Sequence, residues 1–229
     1  MAAEQEVSRK QLLKEVDPVY SAGSKIMERL VVNKVPLFIL LAIIVFSAAG
    51  LGIYQKQQAK KILQAEGLVF EMEQIRENAK DKSADAVLNE LKTKFEEISE
   101  GKQKRRGQLL LADSYFQYGK FDDAEKVYSE LKNNATGDLL TVDLARRGLG
   151  HVYESKKDFD KAIQAYKSII DNPGPLPVFY VYLSLARSHE LKGDVENAKL
   201  VLRDIEAKFP EHPDIERVRL QIKKLEGGS

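Results

Sequence analysis

The side chains that most often carry out chemistry in proteins are few and widely separated in this sequence. The three histidines are His151, His189 and His212. Metal-binding histidines usually recur at short, regular spacings, and these three are too scattered to predict a metal site. The chain contains no cysteine, which excludes disulfides, zinc–thiolate sites and cysteine nucleophiles.

Two groups of neighbouring carboxylates have a spacing that acid–base catalysis could use. They are Asp122-Asp123 and Asp158 with Asp160. Both groups lie in predicted turns and at predicted helix starts, where carboxylates bind exposed N–H groups and interact favourably with the helix dipole. We therefore interpret them as capping residues. Because the chain also lacks a glycine-rich phosphate loop, a nucleophile elbow and a metalloprotease motif, we predict no catalytic residue, metal site, cofactor or small-molecule substrate.

Charge and composition exclude one class of partner and are consistent with a folded core. Hydrophobic residues make up 43% of the chain, and the formal net charge is only +1. A nucleic-acid-binding surface usually carries a basic excess that neutralises phosphates, so we expect no nucleic-acid partner. We interpret the basic run Lys102-Gln103-Lys104-Arg105-Arg106 as a solvated connector, with contact to acidic lipids or to a partner as the alternative.

An apolar segment near the N-terminus predicts a helix that crosses a lipid bilayer. Residues 35–55 carry no charged side chain, and a helix of that length spans the ~30 Å hydrocarbon layer at about 1.5 Å per residue. Asn33 can cap this helix, and Pro36 lies in its first turn, where proline is tolerated. The alternative is a cleaved signal peptide, because Ser47-Ala48-Ala49 resembles a small-x-small cleavage site.

The orientation of this segment is predicted from its position in the chain. Basic residues flank both of its ends, so the positive-inside rule gives little direction. An uncleaved early apolar helix commonly acts as a signal anchor, and long domains can cross regardless of charge. We therefore predict that the N-terminal arm, 1–34, is cytoplasmic. Residues 24–33 of this arm could form an amphipathic surface helix, with a mostly flexible tail as the alternative.

Three copies of one pattern follow the apolar segment, and this repeat determines the predicted fold. Each copy has a small residue followed by a ring-bearing residue: Leu111-Ala112-x-x-Tyr115, Leu149-Gly150-x-x-Tyr153 and Leu185-Ala186-x-x-His189. An alanine and a large apolar residue recur downstream, as Ala124 and Tyr128, Ala162 and Tyr166, and Ala198 and Leu202. Small residues let two helices approach closely, and large side chains at helical spacing fill the gap to the next pair. Lys157 stands where Gly119 and Gly193 supply a turn glycine.

The pattern resembles the tetratricopeptide repeat, a unit of about 34 residues that forms two helices. The resemblance implies an all-α fold, in which a single N-terminal transmembrane helix is followed by an α-solenoid of tetratricopeptide helix pairs. The three repeats are predicted over 105–138, 143–176 and 179–212. Apolar stripes predict a degenerate, membrane-proximal helix pair over 56–104, and residues 213–229 are predicted to form a capping helix and a tail.

The inner surface of such a solenoid is the predicted binding site, because first-helix positions of these repeats usually contact ligands. These positions are Arg106, Leu109, Asp113, Phe116, Arg147, His151, Glu154, Tyr180, Leu183, Arg187 and Glu190. They lack the lysine and asparagine pattern with which similar repeats clamp a peptide's C-terminal carboxylate. We expect them to bind an extended or helical segment of a partner protein. The alternative is that several of them are simply exposed to solvent.

The layout of the whole chain resembles the bacterial family of ancillary SecYEG translocon subunits (YfgM-like). That resemblance implies a bacterial inner-membrane protein with its C-terminal domain in the periplasm. It also implies protein partners, namely the translocon, chaperones or other membrane-complex subunits, and a role in handing secreted proteins to periplasmic chaperones. The alternative is an accessory scaffold subunit of a larger inner-membrane or envelope complex. Neither function is enzymatic.

Overall fold

The computed structural model describes residues 34–99 and 101–227, and within these ranges it contains helices and no strand. The α-helices are α1 (Val35–Glu77), α2 (Ala84–Glu97), α3 (Lys102–Gln117), α4 (Phe121–Asn134), α5 (Leu139–Ser155), α6 (Phe159–Ile170), α7 (Phe179–Lys192), α8 (Val195–Lys208) and α9 (Ile215–Gly227). A short 3-10 helix, Ala79–Asp81, follows α1. The predicted all-α class is confirmed for these residues. Apart from Lys34, the predicted N-terminal arm lies outside them.

Helix α1 contains the apolar segment that the sequence predicts to cross a bilayer. Within the described ranges it is the one helix long and apolar enough to do so. Its large apolar side chains between Val35 and Tyr54 are exposed, and Phe46 has 78% of its surface accessible. A signal sequence near an N-terminus has the same length and composition, so a membrane anchor and a cleaved leader both fit this part of the helix.

The chain forms two compact units, Met1–Lys60 and Lys61–Ser229. In the second unit, successive helices from α3 to α9 pack against one another, and α3 also packs against α5. Contact between neighbours along the chain is typical of a solenoid, in which each helix pair is covered by the next one. The second unit therefore has the architecture that the repeat pattern predicts.

Apolar clusters fill the spaces between successive helices of the second unit. Representative buried side chains, in chain order, are Met72, Leu91, Leu110, Leu131, Leu149, Val152, Tyr166, Ile169, Val181, Leu202, Ile205 and Val218. Burying a side chain of this size stabilises a fold by about 1.5–3 kcal/mol. The repeated alanines Ala124, Ala162 and Ala198 are fully buried, as expected for positions where two helices approach closely.

The carboxylates at the helix starts have two different roles. Asp158 caps α6, since its Oδ1 accepts a hydrogen bond from the backbone N–H of Lys161 at 3.3 Å. Asp122 and Asp160 lie in the first turns of α4 and α6, but no side-chain hydrogen bond caps α4. The predicted position at helix starts is therefore confirmed, with a side-chain cap at Asp158, and Asp122 and Asp160 also bind lysines of the following helix pair.

These lysine–aspartate contacts recur along the second unit. A lysine at the end of one first helix pairs with an aspartate at the start of the preceding second helix. The pairs are Lys120 with Asp85 at 3.0 Å, Lys156 with Asp122 at 2.7 Å, and Lys192 with Asp160 at 2.6 Å. All three aspartates are largely exposed, so each pair contributes little to stability. The aspartates occupy equivalent positions in the first turns of α2, α4 and α6, whereas Lys120 lies two residues further along its turn than Lys156 and Lys192 lie in theirs.

The turn within each helix pair requires a left-handed backbone conformation. Gly119 and Gly193 have φ angles of 71° and 84° there. Lys157 takes the equivalent position with a φ angle of 62°, although a Cβ atom makes this conformation unfavourable. The middle copy therefore keeps the shape of the turn without its glycine.

His189 stands where the first two copies have a tyrosine. Its side chain is only 13% exposed, and its Nδ1 lies 3.1 Å from Asp194 Oδ2.

Two tyrosine rings pack directly onto the backbone of α5. The ring of Tyr128 lies against Gly148, and the ring of Tyr166 lies against Gly150. A Cβ atom added to either glycine would overlap the ring that faces it. The sequence pattern predicts the close approach at Gly150, but Gly148 lies outside the repeated positions. Helix α5 is thus held between α4 and α6 at a separation that only glycine permits.

We predict that Gly148→Ala and Gly150→Ala each destabilise the second unit by about 1–3 kcal/mol, because an added methyl group forces a buried ring to move. The measurement is urea unfolding of the full chain in detergent, followed by circular dichroism. Gly67→Ala is the matched control, since a Cβ at this exposed position in α1 meets nothing within 4 Å. The control should be neutral or slightly stabilising, because alanine favours helix more than glycine does. Equal stability of all three variants would contradict the packing argument.

Candidate functional site

A groove with a volume of about 670 Å³ lies along the first helices of the second unit. Its lining residues come from α1, α3, α4, α5, α7 and α9. They are Arg76, Leu109, Asp113, Phe116, Gln117, Tyr128, Leu144, Arg147, Gly148, His151, Tyr180, Leu183, Ser184, Arg187, Arg217 and Gln221. A cleft of this volume is large enough for a short segment of a partner and too small for a folded domain.

Most of the residues predicted for the inner surface line this groove. They are Leu109, Asp113, Phe116, Arg147, His151, Tyr180, Leu183 and Arg187. The equal spacing of these residues along α3, α5 and α7 brings them together, because equivalent first helices present the same face. That they bind a protein stays a prediction.

Three predicted residues do not line the groove, because neighbouring side chains hold each of them. Arg106 Nη2 donates a hydrogen bond to Glu73 Oε1 at 2.6 Å. Glu154 pairs with Arg187, and Glu190 accepts a hydrogen bond from the side chain of Gln221.

Besides Gln117, Leu144, Gly148 and Ser184, which lie on the first helices of the repeats, sequence reasoning missed residues of two kinds. Arg76 in α1 and Arg217 in α9 lie outside the three predicted repeats, so the alignment gives no equivalent position for them. Tyr128 was predicted as a packing residue of a second helix, yet its hydroxyl reaches the groove. A signal for the first kind existed, because Arg76 follows Ile75 in an apolar stripe and Arg217 precedes Val218 in another. Both stripes predict helices that would flank the repeats.

Asp113 and Tyr128 form a polar pair in the groove. The Tyr128 hydroxyl donates a hydrogen bond to Asp113 Oδ1. Burial raises the pKa of the Asp113 carboxyl group, and the hydrogen bond and the charges of Arg76 and Arg147 oppose this increase. Burial, reinforced by the Asp113 charge, also raises the pKa of Tyr128. Tyr128 therefore stays protonated at neutral pH, and its hydroxyl fixes the position of the carboxylate.

A second polar cluster lies between α5, α6 and α7. The Tyr166 hydroxyl lies 2.9 Å from His151 Nδ1. Arg187 Nη2 donates to Glu154 Oε2 at 2.6 Å, and the Ser188 hydroxyl donates to Glu154 Oε1, also at 2.6 Å. Burial raises the pKa of Glu154, but the hydrogen bonds from His151, Arg187 and Ser188 outweigh it and lower the pKa below its ordinary value. Glu154 is therefore an ionised link between α5 and α7.

Across residues 34–99 and 101–227, no group of three or more histidine, cysteine, aspartate or glutamate side chains is placed to hold a metal ion. Asp113 and Tyr128 bind each other in the groove, Tyr180 and Gln221 bind residues beside it, and many of the other lining side chains are aromatic or aliphatic. This combination of apolar side chains and a few fixed polar groups is suited to binding.

Comparison with known protein families gives two matches. A family model described as Tetratricopeptide repeat-like domain matches residues 32–173. A second model, described as Tetratricopeptide repeat, matches residues 180–212. No curated protein sequence matches the chain.

Similar solved structures agree with the architecture described above. One is a Podosopora anserina protein that is described as a kinesin light chain with nearly identical TPR-like repeats. It has 15% sequence identity to this chain and a TM-score of 0.58. It covers 70% of this chain and 86% of its own. A variant form of that protein has 16% identity and the same TM-score, and it covers 70% of this chain and 85% of its own. At these identities, the similarity shows the fold alone.

We predict that Glu154→Gln makes the chain less stable by about 1–2 kcal/mol at pH 7, because the hydrogen bonds to Glu154 lose their charge assistance. The folded pKa of Glu154 lies below its ordinary value of 4.5, so its ionised form favours folding. The stability difference should be complete above pH 4.5 and should disappear as the pH falls through the lower folded pKa. Urea unfolding at several pH values measures it.

The control for this experiment is Glu211→Gln, which removes a carboxylate from an exposed position. Its unfolding free energy should follow that of the wild-type chain between pH 7 and pH 3.5. A constant difference between Glu154→Gln and the wild type over this range would contradict the proposed charge link.

Proposed function

Since the chain belongs to the tetratricopeptide repeat-like domain family, we propose that it is a membrane-anchored adaptor that binds partner proteins in the groove. The groove itself is the observation that carries this proposal. It presents aromatic, aliphatic and polar side chains from successive first helices at a regular spacing. A partner segment that runs across α3, α5 and α7 would contact each helix in turn, as in other repeat proteins.

The anchor in this proposal is the segment 35–55 within α1. Apolar side chains from Leu37 to Phe46 contribute roughly −0.3 to −0.6 kcal/mol each to insertion near the centre of a bilayer. Their exposure within the described ranges supports the proposal, because a bilayer would remove this surface from water. Confinement to a membrane would also raise the effective concentration of the adaptor near membrane-bound partners, so weak contacts would suffice.

We propose the partners that the resemblance to ancillary SecYEG translocon subunits implies, namely the translocon, chaperones or other membrane-complex subunits. In this proposal, residues 1–34 are cytoplasmic, the repeats are in the periplasm of a bacterium, and the groove receives proteins near the translocon for transfer to chaperones. The mixed chemistry of the groove supports binding of varied segments. A stoichiometric scaffold subunit of another membrane complex is the second possibility, and the captured partners distinguish the two.

We predict that the double variant Leu40→Arg with Ile44→Arg no longer anchors the chain. Each arginine near the middle of a spanning helix costs about 2.5–3.5 kcal/mol, which together exceeds the favourable contribution of the apolar segment. The measurement is the fraction of the full chain that stays with membranes after alkaline extraction. The control is Ile62→Arg with Leu63→Arg, two exposed positions beyond the segment, which should leave membrane association unchanged. Equal extraction of both double variants would contradict the anchor.

We predict that a photo-crosslinking amino acid at Phe116 or Tyr180 captures partner proteins in cells, since both residues line the groove. The same probe at Lys167, an exposed residue of α6 outside the groove, is the control. Mass spectrometry of the products identifies the partners. Translocon subunits, chaperones and several secreted chains would support the adaptor role, whereas one stoichiometric partner would support the scaffold. Equal capture from all three positions would contradict binding in the groove.

A further inference from the structure

The groove concentrates positive charge in a chain that is almost neutral. Four arginines line it, and Asp113 is the single carboxylate among its lining residues. The arginines are Arg76, Arg147, Arg187 and Arg217. Asp113 accepts a hydrogen bond from Tyr128, and the formal net charge of the whole chain is only +1. The excess of positive charge is therefore a local property of this surface.

Most of these guanidinium groups form no ion pair in the part of the chain that the structure describes. Arg187 pairs with Glu154 at 2.6 Å. Arg147 and Arg217 form no side-chain hydrogen bond or ion pair with any described residue, and the same residues offer no acceptor for the buried Nε of Arg76. A buried donor without a partner is unfavourable, and an acceptor supplied by a ligand would satisfy it.

Apolar side chains lie on the same surface as these arginines. Leu109, Leu144 and Leu183 are aliphatic, and Phe116 and Tyr180 are aromatic. A guanidinium group matches the planar geometry of a carboxylate and can donate two parallel hydrogen bonds to it. A ligand that fits both kinds of side chain carries carboxylates and apolar groups together.

We infer that the groove binds an acidic polypeptide segment, whose carboxylates contact Arg76, Arg147 and Arg217 and whose apolar side chains pack beside Phe116 and Leu183. This inference rests on the proposed function, and it specifies the chemistry of the partner. The aliphatic side chains favour a polypeptide over a nucleic acid, because bases stack on rings and guanidinium planes and not on leucine. Opposite charge across an interface increases both the rate and the specificity of association.

The test uses the full chain in lipid nanodiscs and a fluorescein-labelled twelve-residue peptide that alternates glutamate with leucine and phenylalanine. A second peptide replaces every glutamate with glutamine. Fluorescence anisotropy measures both dissociation constants. The glutamate peptide should bind about tenfold tighter or more, because hydrogen bonds between charged groups are stronger than those between neutral groups. Its binding should weaken as the salt concentration rises.

Variants of the groove assign the effect to the arginines. Arg147→Gln with Arg217→Gln should weaken binding of the glutamate peptide about tenfold or more. Arg203→Gln is the matched control, since Arg203 lies in α8, pairs with Glu226 and does not line the groove. It should leave binding unchanged. Arg147→Glu with Arg217→Glu should bind a lysine version of the peptide better than the glutamate version, which would also show that the variant is folded.

Three results would overturn the inference. The first is equal affinity for the glutamate and glutamine peptides, and the second is peptide binding that the double arginine variants leave unchanged. The third is binding of single-stranded DNA that depends on these arginines and is tighter than binding of the glutamate peptide. If crosslinking from Phe116 still captures proteins in cells, the proposed function stands and only the acidic chemistry of the partner is wrong. If neither peptide binds and no protein is captured, both proposals fail.

Discussion

The packing of Tyr128 and Tyr166 on the two glycines of α5 is the contact on which the solenoid and the groove both depend. Each ring is buried against a backbone that has no side chain at that point. The ring of Tyr128 therefore sets the distance between α4 and α5, and that of Tyr166 sets the distance between α5 and α6. The Tyr128 hydroxyl donates a hydrogen bond to Asp113, and the Tyr166 hydroxyl is hydrogen-bonded to His151. These two contacts thus set the separation of the helices and the position of polar groups in the groove.

Stability and binding chemistry are provided by different layers of this architecture. The apolar clusters between helix pairs bury side chains such as Leu131, Ile169 and Leu202 completely, and this burial is the main favourable contribution to folding. The repeated lysine–aspartate pairs are exposed and contribute little. Glu154 differs from them, because its side chain is only 9% exposed and is held by Arg187 and Ser188 of the neighbouring helix α7. Because the apolar clusters supply the main stability, the groove can carry arginines without ion pairs and the solenoid still folds.

The repeat pattern predicted the helices and much of the groove because equivalent positions recur at a constant spacing. Leu109, Arg147 and Leu183 follow from one register of that alignment, and all of them line the groove. Two kinds of feature could not be obtained in this way. Arg76 and Arg217 come from helices that flank the repeats and have no aligned equivalent. The ion pair of Asp122 with Lys156 joins two helix pairs, and the periodicity of a single helix cannot predict such a contact.

The arginines of the groove illustrate a conflict between folding and binding. A buried donor without a partner, such as Arg76 Nε, costs about 1–3 kcal/mol, and like charges on one surface repel. Acids lie opposite Lys156 and Lys192 on the outer turns, but no acid forms an ion pair with Arg147 or Arg217 among the described residues. Local departures from such consistency are characteristic of functional sites. The contrast between the paired outer lysines and the inner Arg147 and Arg217, which form no ion pair with a described residue, is the observation that supports the proposed ligand binding in the groove.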